Sequence, residues 1–274
     1  MRGAETMTAA TMDWSDDLAL IRAAAREAGE VALSYFGQSP EVWWKNEGRS
    51  PVSAADFASN ERLHGILRAA RPDYGWLSEE TDDDSARLSR ETLFVVDPID
   101  GTRGFIGGDR TWCVSVAVVH CGRPVAGVLV APALQEEFCA AAGQPALKNG
   151  ETVAVSYPRP DAPLTLAVAE DILKGLEPAN RGAISSIHHV PSLAYRLAMA
   201  ADGRIDGAIV KRNSHDWDLA AADIILERAG GQLLDLEGRR LVYNREVVKH
   251  GLLHAGATHA LERLRTFVPG EPLG

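Results

Sequence analysis

The chain has 274 residues, with 28 lysines and arginines against 38 aspartates and glutamates, so its formal charge at pH 7 is −10. This length allows one large domain or two fused halves, and a composition of 46% apolar and 24% charged residues is that of a globular protein. These values exclude a disordered chain, a coiled coil and a small disulfide-stapled protein. The negative balance argues against a nucleic-acid polymer as the partner.

The cysteine content predicts a reducing compartment, and the hydropathy predicts a protein without a membrane-spanning segment. The three cysteines, Cys113, Cys121 and Cys139, form no CxxC pair and are too few for a disulfide framework. Each lies in an apolar, strand-like stretch, so we expect buried structural thiols. No run approaches the roughly 18 apolar residues of a membrane helix, and the N-terminal residues lack the apolar core of a signal peptide. We therefore expect a cytoplasmic protein with no membrane association.

Hydrophobic periodicity in the first half predicts two helices followed by an antiparallel sheet. The helices are expected over 14–36 and 53–70, with a polar loop or short hairpin at 45–51 between them. The acidic stretch 81–90 is predicted to be a mobile loop. Strands are predicted over 75–77, 92–96, 112–119, 124–130 and 137–141.

The second half alternates strands with helices. Strands are predicted over 164–168, 207–210, 232–236 and 252–254, and helices over 192–201, 218–229 and 260–267. The Gly/Pro/Asn-rich piece 143–150 predicts a boundary between an N-terminal half, residues 1–145, and a C-terminal α/β half, residues 146–274. We therefore expect an α/β (α+β) protein in which helices and sheets pack in layers, with the site at the junction of the halves.

The most informative segment is 94–102, where an apolar strand ends in Asp-Pro-Ile-Asp-Gly-Thr. The proline stiffens the turn and the glycine permits close backbone approach, so Asp97, the Ile99 carbonyl and Asp100 can point at one place. Two neighbouring carboxylates repel each other and take up protons unless a cation lies between them. Hard oxygen ligands of this kind suit Mg²⁺. On these residues alone, a strand end with Asp100 capping a helix is an equally good interpretation.

Two further acidic clusters accompany this segment. Glu79 and Glu80 follow a short apolar strand upstream, and the sequence Asp216-Trp217-Asp218 opens a helix. Taken alone, the first is typical of a solvated acidic pair. The second is typical of a helix whose N-cap is Asp218.

Together these segments resemble the inositol monophosphatase superfamily of Mg²⁺-dependent, Li⁺-sensitive phosphatases. The matching pieces are SPVSAAD at 50–56, SEE at 78–80, DPIDGTRGF at 97–105 and WDLAAADIILERAGG at 217–231. The resemblance spans about residue 15 to 265. It implies the layered αβαβα sandwich of the inositol monophosphatase and fructose-1,6-bisphosphatase type, with most metal ligands in the N-terminal half.

The resemblance implies a site with two to three Mg²⁺ ions for in-line phosphoryl transfer. Glu79, Asp97 and the Ile99 carbonyl would hold one ion, and Asp97, Asp100 and Asp218 would hold a second. Glu79 would also help to place a third, weaker ion through waters. Li⁺ is expected to inhibit by replacing one Mg²⁺.

The resemblance also implies the catalytic residues, Glu79, Thr102 and Asp56. The Thr102 hydroxyl would hydrogen-bond the attacking water, and Asp56 would accept a hydrogen bond from Thr102. The pair would thereby orient the water and accept its proton. The backbone N–H groups of Gly101 and Thr102 lie where a turn or helix begins and would bind the phosphate. Asp218 would contact the substrate as well as the metal.

The residues after the Asp-Gly-Thr block bear on the substrate. Bacterial 3′(2′),5′-bisphosphate nucleotidases usually carry a basic and then an acidic residue there, whereas this chain has Arg103 and then Gly104. The SPVSAAD segment also looks more like the nucleotidase branch. A second phosphate would need cations, for which Arg103, Lys211 and Arg212 are the candidates, with ordinary surface charge as the alternative. We therefore predict a phosphomonoesterase acting on 3′-phosphoadenosine 5′-phosphate.

Two other functions stay open from the sequence. The first is the same chemistry on inositol 1-phosphate or another polyol or sugar phosphate, including histidinol phosphate. The second is a catalytically silent metal-binding regulatory protein, which the presence of Glu79, Asp97, Asp100, Thr102 and Asp218 disfavours. The expected partner is a small phosphate ester, and a homodimer is expected by analogy alone.

Overall fold

The computed structural model describes residues 12–38, 41–45 and 50–267. Three layers of helices alternate with two β-sheets, so the αβαβα sandwich implied by the resemblance is confirmed. Separate apolar clusters fill the spaces between successive layers. Within the described ranges, no helix combines the length and the apolarity needed to cross a membrane.

The first helical layer packs on one face of the larger sheet. Its second helix begins with a capping box, in which Asp56 accepts a hydrogen bond from the Ser53 backbone N–H at 2.8 Å. The short hairpin expected before this helix is present. The elements are α1 (Ser15–Tyr35), β1 (Val42–Lys45), β2 (Ser50–Ser53) and α2 (Ala54–Ala70).

The larger sheet has seven strands in the order β3-β4-β5-β6-β7-β8-β9. Strands β3 and β4 are parallel and every later pair is antiparallel, including β5 with β6, as the sequence predicts. The strands are β3 (Gly75–Ser78), β4 (Thr92–Asp100), β5 (Cys113–His120), β6 (Arg123–Ala131), β7 (Glu136–Ala141), β8 (Leu147–Lys148) and β9 (Glu151–Thr152). A short helix, α3 (Thr102–Ile106), follows β4.

The second sheet has five strands in the order β11-β10-β12-β14-β13. Strands β11, β10 and β12 are parallel, and β14 pairs antiparallel with both of its neighbours, β12 and β13. The strands are β10 (Leu164–Ala167), β11 (Ile184–Ser186), β12 (Gly207–Val210), β13 (Gly231–Asp235) and β14 (Leu253–Ala257). The helices are α4 (Glu170–Gly175), α5 (Pro178–Arg181), α6 (Leu193–Ala201), α7 (Asp216–Arg228) and α8 (Thr258–Phe267). The division into halves at residue 145 stays a prediction; strands β8 and β9, which follow it, belong to the larger sheet.

The helix α7 lies between the two sheets and brings a C-terminal segment of the chain against the larger sheet. A glycine on β6 makes this close approach possible. A Cβ at Gly127 would lie 2.6 Å from Cγ2 of Ile224 and 2.8 Å from the carbonyl oxygen of Ala221. Because these distances are shorter than van der Waals contact, any larger residue would push α7 away from the sheet and from the end of β4.

Two local predictions are corrected, the end of strand β4 and the burial of Cys121. Strand β4 continues to Asp100 rather than ending at 96, because Asp97 pairs with Ser115 and, after a bulge, Asp100 pairs with Cys113. Cys113 and Cys139 are buried as expected, but Cys121 is exposed because it lies in the turn between β5 and β6 rather than in a strand.

The acidic segment 81–90 is not the mobile loop that its composition predicts. It contains a 3₁₀ helix, Ser85–Ser89, and the side chain of Arg87 is buried. The Arg87 guanidinium pairs with Asp83 at 2.6 Å and donates to Asn244 Oδ1 at 2.8 Å. These distant contacts fix the segment, and they could not be read from its local composition.

Candidate active site

Three carboxylates from the end of β4 and the start of α7 meet in one cavity. Oxygen atoms of Asp97, Asp100 and Asp218 all lie within 4.8 Å of one another. Asp97 and Asp100 are buried, with 1% and 6% of their surfaces exposed. The cavity has a volume of about 500 Å³, and its lining includes Glu79, Ile99, Gly101, Thr102 and Arg103. The predicted residues of the metal site and the DGTR segment therefore share one cleft.

Hydrogen bonds from the surrounding backbone hold these carboxylates in place. Asp97 Oδ1 accepts from the Ile99 N–H at 3.0 Å. Asp100 Oδ2 accepts from the hydroxyl of Ser192 and, at 2.6 Å, from the Ala194 N–H at the start of α6. The cluster is therefore built by β4 together with the first turns of two helices from the second half of the chain.

Burial and mutual repulsion oppose the ionised forms of this cluster. Burial, followed by the charges of Glu79, Asp100 and Asp218, raises the pKa of Asp97 well above its ordinary value. Burial and the charge of Asp218 raise the pKa of Asp100 to about 6, although hydrogen bonds from Ser192 and Ala194 act in the opposite direction. A divalent cation would offset both the burial of these carboxylates and the repulsion between them. A donor set made of carboxylate oxygens fits a hard cation such as Mg²⁺.

A hydroxyl–carboxylate pair adjoins the cluster. Thr102 Oγ1 lies 3.0 Å from Asp56 Oδ1 and 3.0 Å from the Ile99 carbonyl oxygen. The other oxygen of Asp56, which is buried, accepts from the backbone and the hydroxyl of Ser53 at 2.8 and 2.6 Å. The structure thus places Asp56 and Thr102 in contact, as the resemblance implied, and Asp56 is held rigidly from behind.

The turn between β4 and α3 depends on the glycine at its centre. Gly101 has a φ of +97°, which is unfavourable for residues with a side chain. A Cβ at this position would also lie 3.1 Å from the backbone N of Ser192, the residue whose hydroxyl bonds Asp100. The glycine therefore lets the turn and the start of α6 approach closely enough to share one carboxylate.

The start of α7 differs from the sequence prediction. The helix begins at Asp216 and its N-cap is His215, so Asp218 is the third helical residue and not the cap. Asp218 Oδ2 accepts from the His215 N–H at 2.6 Å, which completes a capping box. The ring of His215 stacks on Trp217 with centroids 4.5 Å apart. This arrangement holds the Asp218 carboxylate at the cluster.

Two of the predicted substrate-binding residues lie in a neighbouring pocket rather than in the cleft. Lys211 and Arg212 line this second pocket, which has a volume of about 250 Å³. The Lys211 ammonium pairs with Asp171 at 2.8 Å on the surface. His189 and Leu193 line both the pocket and the cleft, so the two spaces adjoin.

Sequence reasoning missed several residues of this site. Ser192 and Ala194 orient Asp100, while His189 lines the cleft. The only available signal was the predicted start of a helix at Ser192, which is the N-cap of α6. Nothing in the sequence indicated that this N-terminus faces Asp100.

Comparison with known proteins gives relatives that carry several different names. A Streptomyces griseus protein named glucose-1-phosphate thymidylyltransferase is 33% identical over 88% of this chain and 96% of its own length. A Chlorobaculum parvum histidinol-phosphatase is 32% identical over 84% of this chain and 90% of its own. A protein named 3′(2′),5′-bisphosphate nucleotidase CysQ, from Aggregatibacter actinomycetemcomitans, is 30% identical over 81% of this chain and 85% of its own.

The fold and the sequence profile agree on the family. The crystal structure of the extragenic suppressor protein suhB from Bartonella henselae superposes with a TM-score of 0.81 and 29% identity, covering 93% of this chain and 99% of that one. The profile described as the inositol monophosphatase family matches residues 13–266. The chain therefore belongs to the inositol monophosphatase family and is a phosphatase of that family.

Proposed function

We propose that the protein is a Mg²⁺-dependent phosphomonoesterase that hydrolyses a small-molecule phosphate with a metal-activated water. The observation that carries this proposal is the convergence of Asp97, Asp100 and Asp218 within 4.8 Å, beside the contact between Thr102 and Asp56. The same arrangement disfavours a silent regulatory role, because a binding site for a cation alone does not need a hydroxyl–carboxylate pair at its edge.

In this proposal Asp97, Asp100 and Asp218 hold Mg²⁺, with Glu79 and the Ile99 carbonyl completing the oxygen donors of the cleft. Bound Mg²⁺ supplies neutralisation of phosphate charge and a lowered pKa of water. Two to three ions per site remain the expectation from the resemblance, as does inhibition by Li⁺. The chain itself supplies the buried, oriented ligands.

The Thr102–Asp56 pair handles the proton of the attacking water. Thr102 donates to Asp56 at 3.0 Å, so the lone pairs of its oxygen can accept a hydrogen bond from a water in the cleft. The new bond forms between the water oxygen and phosphorus, and the ester bond between phosphorus and the leaving oxygen breaks. The water proton passes toward Asp56 through Thr102, or to Glu79, and the leaving oxygen is protonated by solvent.

The substrate we propose is 3′-phosphoadenosine 5′-phosphate. The support is the presence of arginines: Arg103 lines the cleft, and Arg212 lines the adjoining pocket together with Lys211, which is paired with Asp171. The backbone of Gly101 and Thr102 at the cleft would contact the phosphate that is removed. Inositol 1-phosphate and histidinol phosphate are the alternatives, because relatives of similar identity are named for each kind of substrate.

A kinetic panel on the purified full chain tests this proposal. We expect Mg²⁺-dependent release of phosphate, lost on chelation and restored by Mg²⁺. We expect kcat/KM for 3′-phosphoadenosine 5′-phosphate to exceed those for inositol 1-phosphate and histidinol phosphate by about tenfold or more. A tenfold preference for either of the other two would overturn the substrate assignment. Absence of Mg²⁺-dependent turnover on all three would overturn the phosphatase proposal itself. A cytoplasmic location and a homodimer are proposed with it.

A further inference from the structure

The second pocket lies beside the carboxylate cluster, and the described residues that line it are mostly apolar and basic instead of acidic. Its walls are largely apolar and come from the ends of β10, β12 and the segment before α6, including Ala167, Val168, Ile187 and Val210. It shares His189 and Leu193 with the cleft. Together the two spaces fall within the usual size range of small-molecule sites, about 300–1,000 Å³. A phosphate at the cluster would therefore direct the rest of its ester into this pocket.

The described charged residues that line the second pocket are all basic. Arg196, Lys211 and Arg212 contribute to its lining, and within the described ranges no aspartate or glutamate does. Lys211 is already neutralised by Asp171 on the surface. Such a pocket favours an anionic leaving group and disfavours one that carries an ammonium group.

Arg196 is the cation best placed to act on a ligand. It lies on the first turns of α6, and its Nε donates to the Ser192 carbonyl at 3.3 Å. No carboxylate in the described part of the chain forms an ion pair with it, although Asp100 and Asp218 act on its charge from farther away. The residue lines the pocket, and a guanidinium presents donors in the fork geometry that suits phosphate.

A second polar group points to a ligand independently. Ser214 lines the same pocket with 7% of its surface exposed, and its buried Oγ has no hydrogen-bond partner among the described residues. A buried hydroxyl without a partner costs free energy, which a ligand that bonds it would recover. Its backbone carbonyl accepts from the His250 N–H at 2.8 Å, so the residue itself is firmly placed.

We propose that Arg196, with Ser214 beside it, binds a second anionic group on the leaving portion of the substrate and so selects for bisphosphorylated over monophosphorylated esters. This inference rests on the proposed function and deepens it. It adds a specificity-determining residue outside the cleft, on α6, where neither the sequence motifs nor the cluster geometry places one.

A matched pair of substrates tests the inference. 3′-Phosphoadenosine 5′-phosphate and adenosine 3′-phosphate lose the same phosphate, and only the first carries a second anionic group. We expect Arg196→Gln to lower kcat/KM for the bisphosphate by about 10- to 100-fold, mainly through KM, because the variant loses a charged hydrogen-bond donor to the second anionic group. The value for adenosine 3′-phosphate should change less than about threefold. Arg196→Lys should recover part of the loss.

Two further variants separate this role from a structural one. Ser214→Ala should weaken the bisphosphate preference in the same direction but less, and Arg239→Gln, at an exposed turn, should leave both substrates unchanged. An equal loss on both substrates in Arg196→Gln would contradict the inference, because it would show an effect on the cluster or on the fold. So would a native enzyme that does not prefer the bisphosphate.

A binding measurement keeps the inference testable if no ester is hydrolysed. With Mg²⁺ and saturating inorganic phosphate present, we expect adenosine 5′-phosphate to bind the native chain more tightly than adenosine does. We expect that difference to disappear in Arg196→Gln. Equal binding of the two ligands by the native chain would overturn the inference, whereas absent turnover with retained selective binding would overturn only the proposed reaction.

Discussion

Helix α7 contributes carboxylates to two different environments, a hydrogen-bonded network that contains Asp216 and Asp223 and the cluster that Asp218 forms with Asp97 and Asp100 of β4. Asp216 and Asp223 of α7 each have hydrogen-bond donors of their own. Asp218, between them in the sequence, faces Asp97 and Asp100, which are carboxylates like itself. The comparison separates carboxylates that maintain the fold from those that require a ligand.

Asp216 and Asp223 accept hydrogen bonds from side chains and backbone groups that are not acidic. Asp216 Oδ1 lies 2.7 Å from His250 Nε2, and its Oδ2 accepts from the Asn244 N–H at 3.0 Å. Asp223 accepts from the Tyr243 hydroxyl at 2.9 Å and from Arg123 at 3.3 Å. These contacts attach the segment before β14 to α7, and the protein completes them without any added group.

The cluster of Asp97, Asp100 and Asp218 behaves differently: each accepts a hydrogen bond, but the charged side chains nearest to it are mostly other carboxylates. Burial is the largest cause of the raised pKa of Asp97 and Asp100, and it also raises the pKa of Asp223 to about 6. At Asp223 the charge of Arg123 and the hydrogen bond from Tyr243 act against burial, whereas at Asp97 and Asp100 neighbouring carboxylates add to it. A fold does not retain such a cost without a compensating use. The difference between the two sets is therefore the physical argument that the cluster, and not the network, is the functional site.

The largest effect should come from removing one charge of the cluster. In Asp100→Asn we expect turnover to fall on the order of a thousandfold, since a catalytic metal contributes several kcal/mol to the transition state. The amide can still accept from Ala194, so the fold should be intact by circular dichroism. The rise in Tm that Mg²⁺ gives the native chain should be lost. Asp161→Asn, on the exposed surface, serves as the control, and near-normal activity in Asp100→Asn would refute the metal assignment.

A smaller effect, on stability rather than chemistry, should follow from breaking the network. His250→Leu leaves the buried Asp216 without its side-chain partner, so we expect the free energy of unfolding in urea to fall by about 3 kcal/mol. The exposed His64→Leu should change it by less than about 0.5 kcal/mol. If the two variants were equally stable, the distinction drawn between the two sets of carboxylates would be wrong.

The smallest effect is a pH dependence of the metal-free protein. The folded-state pKa of Asp100, about 6, exceeds its ordinary 3.8, so the folded state binds the proton more tightly than the unfolded state does. The stabilisation from protonated Asp100 is present at low pH and is lost as the pH rises through about 6. Relative to Asp100→Asn, the native chain in chelator should lose on the order of 2 kcal/mol between about pH 4.5 and 7.5.

Comparing the two proteins removes the titration of the shared groups that lie away from the cluster, including the buried His254, whose pKa burial lowers to about 4. The difference also contains the change in Asp97, because the charge of Asp100 raises the pKa of that carboxyl. A difference between native chain and variant that stays constant across this range would show that Asp100 is not destabilised by burial. Repeating the measurement with Mg²⁺ should reduce the slope, because the cation favours the ionised carboxylate.

Local patterns were sufficient for much of this molecule. Periodicity located α2 and the β5–β6 hairpin closely, since both depend on residues that are neighbours in the chain. The Asp-Pro-Ile-Asp-Gly-Thr block indicated a cation site because repulsion between close carboxylates is a local property. The segment 81–90 was predicted wrongly because Arg87 is fixed by Asn244, far away in the sequence.

The sequence by itself determined the types of element, the family resemblance and which carboxylates are near one another along the chain. The resemblance singled out Asp218 as a metal ligand, but the sequence could not show that Asp216 and Asp223 of the same helix serve the fold instead. Only the tertiary structure decides this, because the groups that neutralise or repel each carboxylate come from distant segments. His250 and Tyr243 arrive from the stretch before β14, and Asp97 and Asp100 from the end of β4.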